Sequence, residues 1–393
     1  MNPTRRSLLK IAAATPLLRA ATLYAVESSN QPRFLLVFLR GGYDAANVLV
    51  PSSSFYYESR PNIAVPKDSV LPIDANWGLH PALRDSVYPL WQKGEAAFIP
   101  FAGTEDLSRS HFETQDSIEL GQPQGAHDFG SGFLNRLTSV LGAKGAISFT
   151  TQLPTVFRGE ASVANVALRF MGRANVDERQ RALIANMYQD TSLGAEVGEG
   201  FAVRDQVMKD LGDEMVAASR NAVSARGFET EARRIARMMR GPYSLGFVDV
   251  GGWDTHVGEG GATGQLATRL EALGQGLAAF RDEMGPAWRD TVVLAISEFG
   301  RTFRENGNRG TDHGHGTVYW ALGGRVRGGA QGGGIRGSQQ RVEHATLFQD
   351  RDYPVLNEYR SLLGGLFGRL YGLGQSQLAR VFPQAQARDL GLV

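Results

Sequence analysis

The sequence predicts an α/β fold, a mostly parallel central sheet sandwiched by helices. Three observations carry that expectation. Residues 34–39 are a near-continuous apolar run, the pattern of a strand buried on both faces. Leu266, Leu270, Leu273, Leu277, Phe280 and Met284 recur at spacings of four and three, one apolar stripe of a long helix over 264–285. That helix lies between two further apolar runs, 245–250 and 291–296, so strand, helix and strand make a right-handed parallel crossover.

The chain starts with a different signal. Thr4, Arg5, Arg6, Ser7, Leu8, Leu9 and Lys10 form a twin-arginine export motif, and a modest apolar stretch, 11–18, follows. Ala20, Ala21 and Ala25 offer cleavage points, so residues 1–25 read as a signal peptide and 26–393 as the exported domain. A cytoplasmic amphipathic helix is the plain alternative, but the arginine pair, the flanking Thr and the Lys all match the motif. The apolar stretch is too short to cross a bilayer permanently, and no other run reaches that length. The expected location is periplasmic or secreted, with the twin-arginine export machinery as a partner.

At 393 residues the chain can bury a large core. Its 42% hydrophobic and 21% charged residues are ordinary for a globular protein. With a formal charge of +1, nothing suggests a nucleic-acid footprint. Loss of residues 1–25 takes the charge to −3, since Arg5, Arg6, Lys10 and Arg19 leave with no acid. The 48 glycines cluster beside the motifs below and in loops, with no periodic repeat. With no cysteine, the fold uses no disulfide, and any metal site is built from N and O ligands.

Taken in order, the strand 34–39 ends in Arg40, Gly41, Gly42, Tyr43 and Asp44, where two glycines let the backbone turn sharply. Asp44 lands at the strand tip; alone it reads as a helix N-cap, but Gly-Gly-Trp-Asp later in the chain favours a site role, with Asn47 beside it. Residues 51–80 read as a loop layer, 81–91 as a helix and 96–101 as a strand. Arg109, Ser110 and His111 then sit at a helix N-terminus, which favours anions and can activate a nucleophile. Ser110 is the candidate nucleophile, with Arg109 and His111 facing the substrate; the competing reading makes Ser110 an N-cap of helix 110–120. A helix over 132–141 and short strands at 147–150 and 165–170 follow, and His127 and Asp128 read as a solvated loop pair. Residues 176–240 are a helical insertion whose apolar face includes Ile235, Met238 and Met239.

The strand 245–250 ends in Gly251, Gly252, Trp253, Asp254, Thr255 and His256. An acid and an imidazole at the C-terminal tip of a strand stand where open α/β sheets place their chemistry. Ser297, Glu298, Phe299, Gly300 and Arg301 follow the strand 291–296, and Asp312, His313, Gly314 and His315 precede a strand at 317–322. A glycine-rich loop, 323–337, and a final helix, 352–370, close the chain. Asp44, Asp254, His256, Glu298, Asp312, His313 and His315 thus form a mixed carboxylate and imidazole set. Such ligands suit zinc, manganese or iron, and with more oxygens magnesium or calcium. All seven together could hold two ions, the clamp used in phosphoryl displacement. Arg301 pairs with Glu298 or holds an anionic substrate. The plain alternative is histidines bonded to carboxylates that tie loops together.

These stretches together resemble the bacterial exported family called domain-of-unknown-function family 1501. They are the twin-arginine leader, Leu39 to Asp44, Arg109 to Phe112, Gly252 to His256, Ser297 to Arg301 and Asp312 to Gly316. That family resembles the alkaline phosphatase and sulfatase superfamily, which implies an alkaline-phosphatase-like fold with metal at the strand ends. By that resemblance Asp44 matches the first metal-binding acid, Asp254 and His256 the acid and histidine of one metal, and His315 or His313 a late histidine. Glu298 stands where the superfamily has an Asp, and Phe299 takes the place of a metal-binding histidine. The absent cysteine rules out the formylglycine of typical sulfatases. The sequence therefore points to an exported hydrolase of phosphate or sulfate esters using a divalent metal. The competing reading is a non-catalytic periplasmic protein that binds glycans or partner proteins.

Overall fold

The computed structural model describes residues 32–142, 145–168, 187–188, 191, 193 and 227–393. The leader at 1–25 and most of the insertion at 176–240 lie outside these residues. Eleven strands are described, in chain order β1 (Arg33–Arg40), β2 (Leu49–Pro51), β3 (Leu71–Pro72), β4 (Trp77–Leu79), β5 (Ala96–Gly103), β6 (Ala146–Ser148), β7 (Ala164–Asn165), β8 (Leu245–Gly251), β9 (Thr291–Ser297), β10 (Thr317–Leu322) and β11 (Asn357–Glu358). Eight make one sheet in the order β11-β5-β10-β9-β1-β8-β6-β7, and β2-β4-β3 make a small second sheet. In the large sheet β10 alone runs antiparallel to its neighbours.

That one reversed strand positions the site. The C-terminal ends of β1, β5, β8 and β9 share one edge because these strands run the same way. The reversed β10 begins at that edge, Thr317 lying opposite Ala102 near the end of β5. The residues just before β10 therefore reach the same rim as the residues just after β1, β8 and β9.

β1 shows why the sheet is buried on both faces. Leu35, Val37 and Leu39 enter one apolar layer with Leu266, Leu270, Leu273 and Leu277 of the helix Gln265–Met284. Phe34, Leu36 and Phe38 enter the opposite layer with Leu134 and Leu137 of helix Phe133–Leu141 and Leu363 and Phe367 of helix Tyr359–Tyr371. The period of two sends alternate side chains to opposite faces, and helices cover each face. Ile235, Met238 and Met239 are buried on the helix Phe228–Arg240, which packs against Gln265–Met284.

The chain departs from expectation where local pattern is weak. Residues 51–80 hold a short helix, Ser54–Ser59, and the small sheet rather than loop alone. The helix expected at 81–91 is a 3₁₀ turn, Pro81–Leu83, followed by helix Val87–Gln92. The strand expected at 165–170 is Ala164–Asn165, with 169–170 outside the described residues. The helix expected at 352–370 begins only at Tyr359, because β11 pairs with β5 first, and a further helix, Gln375–Val381, follows it. Among the described residues no helix is long and apolar enough to cross a membrane.

Candidate metal centre

Three strand-end segments meet on the rim. Gly41 turns at φ +121°, and a Cβ there would sit 2.8 Å from the Asp254 backbone nitrogen. Only glycine lets the tip of β1 lie this close to the segment after β8. Gly314 does the same for the loop before β10, where a Cβ would fall 2.4 Å from the Arg301 carbonyl carbon. Backbone bonds from Gly300 N–H to His315 O and from Gly314 N–H to Gly300 O, each 2.9 Å, then lock that loop along the segment after β9.

The side chains converge on Asp254. His256 Nε2 lies 2.9 Å from Asp254 Oδ1, His313 Nε2 lies 3.4 Å from the same oxygen, and the two Nε2 atoms are 3.1 Å apart. His111 brings its Nε2 to 3.7 Å from Asp254 Oδ2. His111, Asp254 and His313 form a cluster that could hold a metal ion, their ligand atoms all within 4.8 Å of one another.

The far side of each imidazole decides what the near side can do. His111 Nδ1 is 2.8 Å from Glu298 Oε1, His256 Nδ1 is 3.2 Å from Asp312 Oδ1, and His313 Nδ1 is 2.9 Å from the Arg109 carbonyl. Carboxylate and carbonyl oxygens only accept, so each Nδ1 can donate to the oxygen it faces, and in that tautomer each Nε2 offers a lone pair toward Asp254. This is the arrangement of metal-binding histidines, whose other ring nitrogen donates to a carboxylate or a carbonyl. Two lone pairs 3.1 Å apart repel each other unless a cation or proton lies between them. Two ligands about 2.0–2.1 Å from one zinc stand about 3 Å apart, so the spacing fits an ion. His111 Nε2 is buried and has no hydrogen-bond partner, a second sign that the centre wants a cation.

Charges tune the site. Burial raises the Asp254 carboxyl, but Arg301 beside it, with His256 and His111, holds it below the usual carboxylate range. Arg301 Nη2 donates to Asp254 Oδ1 at 2.5 Å, and its Nη1 lies 3.5 Å from His256 Nε2. Burial also works against ionised Glu298; the bonds from His111, Gln115 and the Gly41 amide overcome it and keep the carboxylate charged. Burial, together with the charges of His111 and Arg301, lowers the His313 imidazole and favours its neutral, ligating form.

Of the expected ligands, the structure brings together Asp254, His256 and His313 and sets the rest elsewhere. Glu298 and Asp312 stand behind His111 and His256 and orient those rings. Asp44 faces the core: both its oxygens accept from Arg60, with Nη2 to Oδ1 at 2.9 Å. Asn47 joins the same buried group through Arg60 and Tyr56. His315 is buried against Phe348, ring centroids 5.1 Å apart, and burial pushes it down to about 4. Arg301 pairs with Asp254, not with Glu298. Asp352 and Gln349 hold the Arg109 guanidinium. Ser110 is the N-cap residue of helix His111–Leu120 without a capping bond, and among the described residues its hydroxyl makes no hydrogen bond to the cluster. His127 stacks on Phe129 in an exposed loop.

The sequence suggests a substrate-facing role for His111, and the structure sets its ring beside Asp254 and His313. Two residues around the cluster carry no expectation from the sequence, Gln115 and Asn306. Gln115 was findable, since it lies four residues after His111 and so on the same helix face. Asn306, which bonds the His256 carbonyl and Asp312, left no such signal.

The family model described as "Protein of unknown function (DUF1501)" matches residues 31–382. No curated protein matches the chain. Among solved structures, Ps i-CgsB in complex with k-i-k-neocarrahexaose is similar at 9% identity and a TM-score of 0.36, over 92% of this chain and 76% of that one. Ps i-CgsB by itself gives 11% and 0.37 over the same shares. A candidate sulfatase from Bacteroides thetaiotaomicron VPI-5482 gives 9% and 0.32, over 91% of this chain and 76% of that one. At such identities these likenesses say nothing of what this chain acts on.

Proposed function

The chain belongs to the DUF1501 family, and we propose that it is an exported, metal-dependent hydrolase of phosphate or sulfate esters. The observation that carries the reading is the set of Nε2 lone pairs from His111, His256 and His313 around the Asp254 carboxylate. The imidazole-rich set suits zinc or manganese better than magnesium or calcium. A divalent ion held there would polarise an ester oxygen and lower the pKa of a water.

The chain's own groups divide the remaining work. Arg301 is buried yet half-committed: one nitrogen is on Asp254, and its Nε has no partner. A guanidinium so placed binds the non-bridging oxygens of a phosphate or sulfate. Glu298 and Asp312 hold His111 and His256 in the Nδ1–H tautomer. Among the described residues no hydrogen bond joins the Ser110 hydroxyl to a base, which favours water over a serine nucleophile. The twin-arginine leader supports export in the folded state.

The test is elemental analysis of protein purified without chelators, repeated on Asp254→Ala and His313→Ala. Stoichiometric metal that both variants lose supports the centre; equal metal in all three removes it. A panel of aryl phosphates and sulfates with Ser110→Ala then assigns the attacking group. The second reading, a non-catalytic binding or assembly protein on the same fold, draws support from the unpartnered Ser110. Metal binding with no turnover on any ester would select it. Retention of an Arg5→Lys, Arg6→Lys double variant in the cytoplasm tests the export step.

A further inference from the structure

Arg109 sits at φ +53°, a left-handed conformation that a side-chain-bearing residue rarely adopts. Such strain persists only where the surroundings over-determine it. Here its guanidinium is forked onto one oxygen of Asp352, Nε at 3.1 Å and Nη2 at 2.7 Å, and Nη2 also reaches Gln349 Oε1 at 2.8 Å. Asp352 is fully buried and anchored by reciprocal backbone bonds with Phe348. The turn between them is itself strained, with Gln349 and Asp350 both at φ +55°. The Phe303 amide bonds the Arg351 carbonyl, so this turn is tied to the segment that carries Arg301. The strained Arg109 peptide ends in the carbonyl that accepts from His313 Nδ1 at 2.9 Å.

We propose that Asp352 and Arg109 are positioning residues: they hold a strained main-chain carbonyl at the one place that keeps His313 in its Nδ1–H tautomer with Nε2 on Asp254. The inference rests on the metal-centre reading for its purpose but not for its geometry. His111 and His256 take their orientation from carboxylates. His313 has only a loop carbonyl, and a loop carbonyl must be held. Arg109 thus serves the centre through its backbone, and its side chain is the anchor.

The experiment uses the full mature chain, stripped of metal and labelled with ¹⁵N-histidine, as wild type, Asp352→Asn and Arg109→Ala. Two-bond ¹H–¹⁵N spectra report each ring's tautomer, and a chelator competition reports zinc affinity. The expected result is His313 in the Nδ1–H form in wild type and a tautomer mixture in both variants. Zinc should bind about 10–100-fold more weakly in the variants, the usual effect of losing a group behind a ligand. The His256 tautomer, set by Asp312, should not change, which separates positioning from general loosening. Arg109→Ala removes a partly exposed side chain and keeps the test alive should Asp352→Asn fail to fold. Unchanged His313 tautomer and zinc affinity in Arg109→Ala would overturn the proposal. A wild type that binds no zinc, yet whose His313 tautomer shifts in the variants, would sink the metal reading and leave the positioning role standing.

Discussion

Asp44 and Asp254 begin alike. Each follows a Gly-Gly pair at the end of a parallel strand, β1 or β8, and each carries an arginine. Their surroundings then diverge. Asp44 is buried, and Arg60 on it is saturated: Nε donates to the Phe303 carbonyl, Nη1 to Asp44 and Asn47, and Nη2 to Asp44 and the Thr302 carbonyl. All five guanidinium protons there have partners. Asp254 keeps 44% of its side-chain surface exposed, and three imidazole Nε2 atoms stand around it. The same motif closes a core in one place and opens a site in the other. The lesson is that an acid at a strand tip becomes a ligand by what remains unsatisfied around it, not by its position alone.

The largest expected effect breaks the closed member of the pair. Arg60→Ala leaves the Asp44 carboxylate buried without its partner, and removing one half of a buried ion pair costs about 3–5 kcal/mol. Denaturant unfolding should show that loss, while Arg301→Ala, whose partner Asp254 is half-exposed, should cost far less. Equal losses would erase the contrast. Next comes the open member. Asp254→Asn keeps the shape and removes the charge shared by the histidines. Zinc affinity should fall at least about 100-fold, beyond the range for groups behind a ligand, with little change in the melting temperature; a competition titration reads it. An unchanged affinity would move the centre elsewhere.

Glu298→Gln is a sharper probe of the same centre. The amide can accept from His111 Nδ1 through only one atom and carries no charge, so the ring loses its tautomer lock. Zinc should bind about 10–100-fold more weakly, and His111 should show mixed tautomers in the metal-free protein. A loss of folding stability with normal zinc affinity would make Glu298 a core residue only.

The contrast also marks what the sequence could tell. The sheet was legible because both-face burial writes apolar runs such as 34–39 and 291–296, and the helix Gln265–Met284 because its stripe is regular. Convergence at one rim followed from strand direction. The identity of the ligands did not, since it depends on χ angles and on partners distant in the chain. Arg60 lies in a segment with no periodic signal, yet it decides the fate of Asp44. His111 sits beside a serine at a helix N-terminus, a setting that suggests substrate contact; the Glu298 carboxylate on its Nδ1, 187 residues away, holds the ring with Nε2 toward Asp254. His315 has the right neighbours in sequence, but the segment 312–316 is not a strand, so spacing alone does not fix its side, and its ring is buried against Phe348.

The smallest effect refines the closed region. Glu259 lies beside Asp44, its Oε2 accepting from Thr255 and Thr311 hydroxyls at 2.9 Å each, while its Oε1 accepts nothing. Burial, with the Asp44 charge next to it, pushes its pKa well above the ordinary 4.5, which favours the protonated acid, whose O–H can donate to Asp44. The unfolded chain ionises near 4.5. Stability from this group is therefore fully present below that value and is lost as the pH rises toward the raised native value, because the native state alone retains the proton. Asp44 has the opposite sign: burial raises its pKa, Arg60 lowers it further, and its contribution is lost only as the pH falls below the ordinary carboxylate range. Glu259→Gln offers an amide N–H to Asp44 and an oxygen to the two threonines without a proton to lose. The melting temperature of the variant relative to wild type should climb as the pH rises from about 5 to 8, by an amount worth about 1 kcal/mol or more for each unit of pKa shift. A difference that stays flat across that range would mean that Glu259 is ionised in the native protein, and that Arg60 balances two charges instead of one.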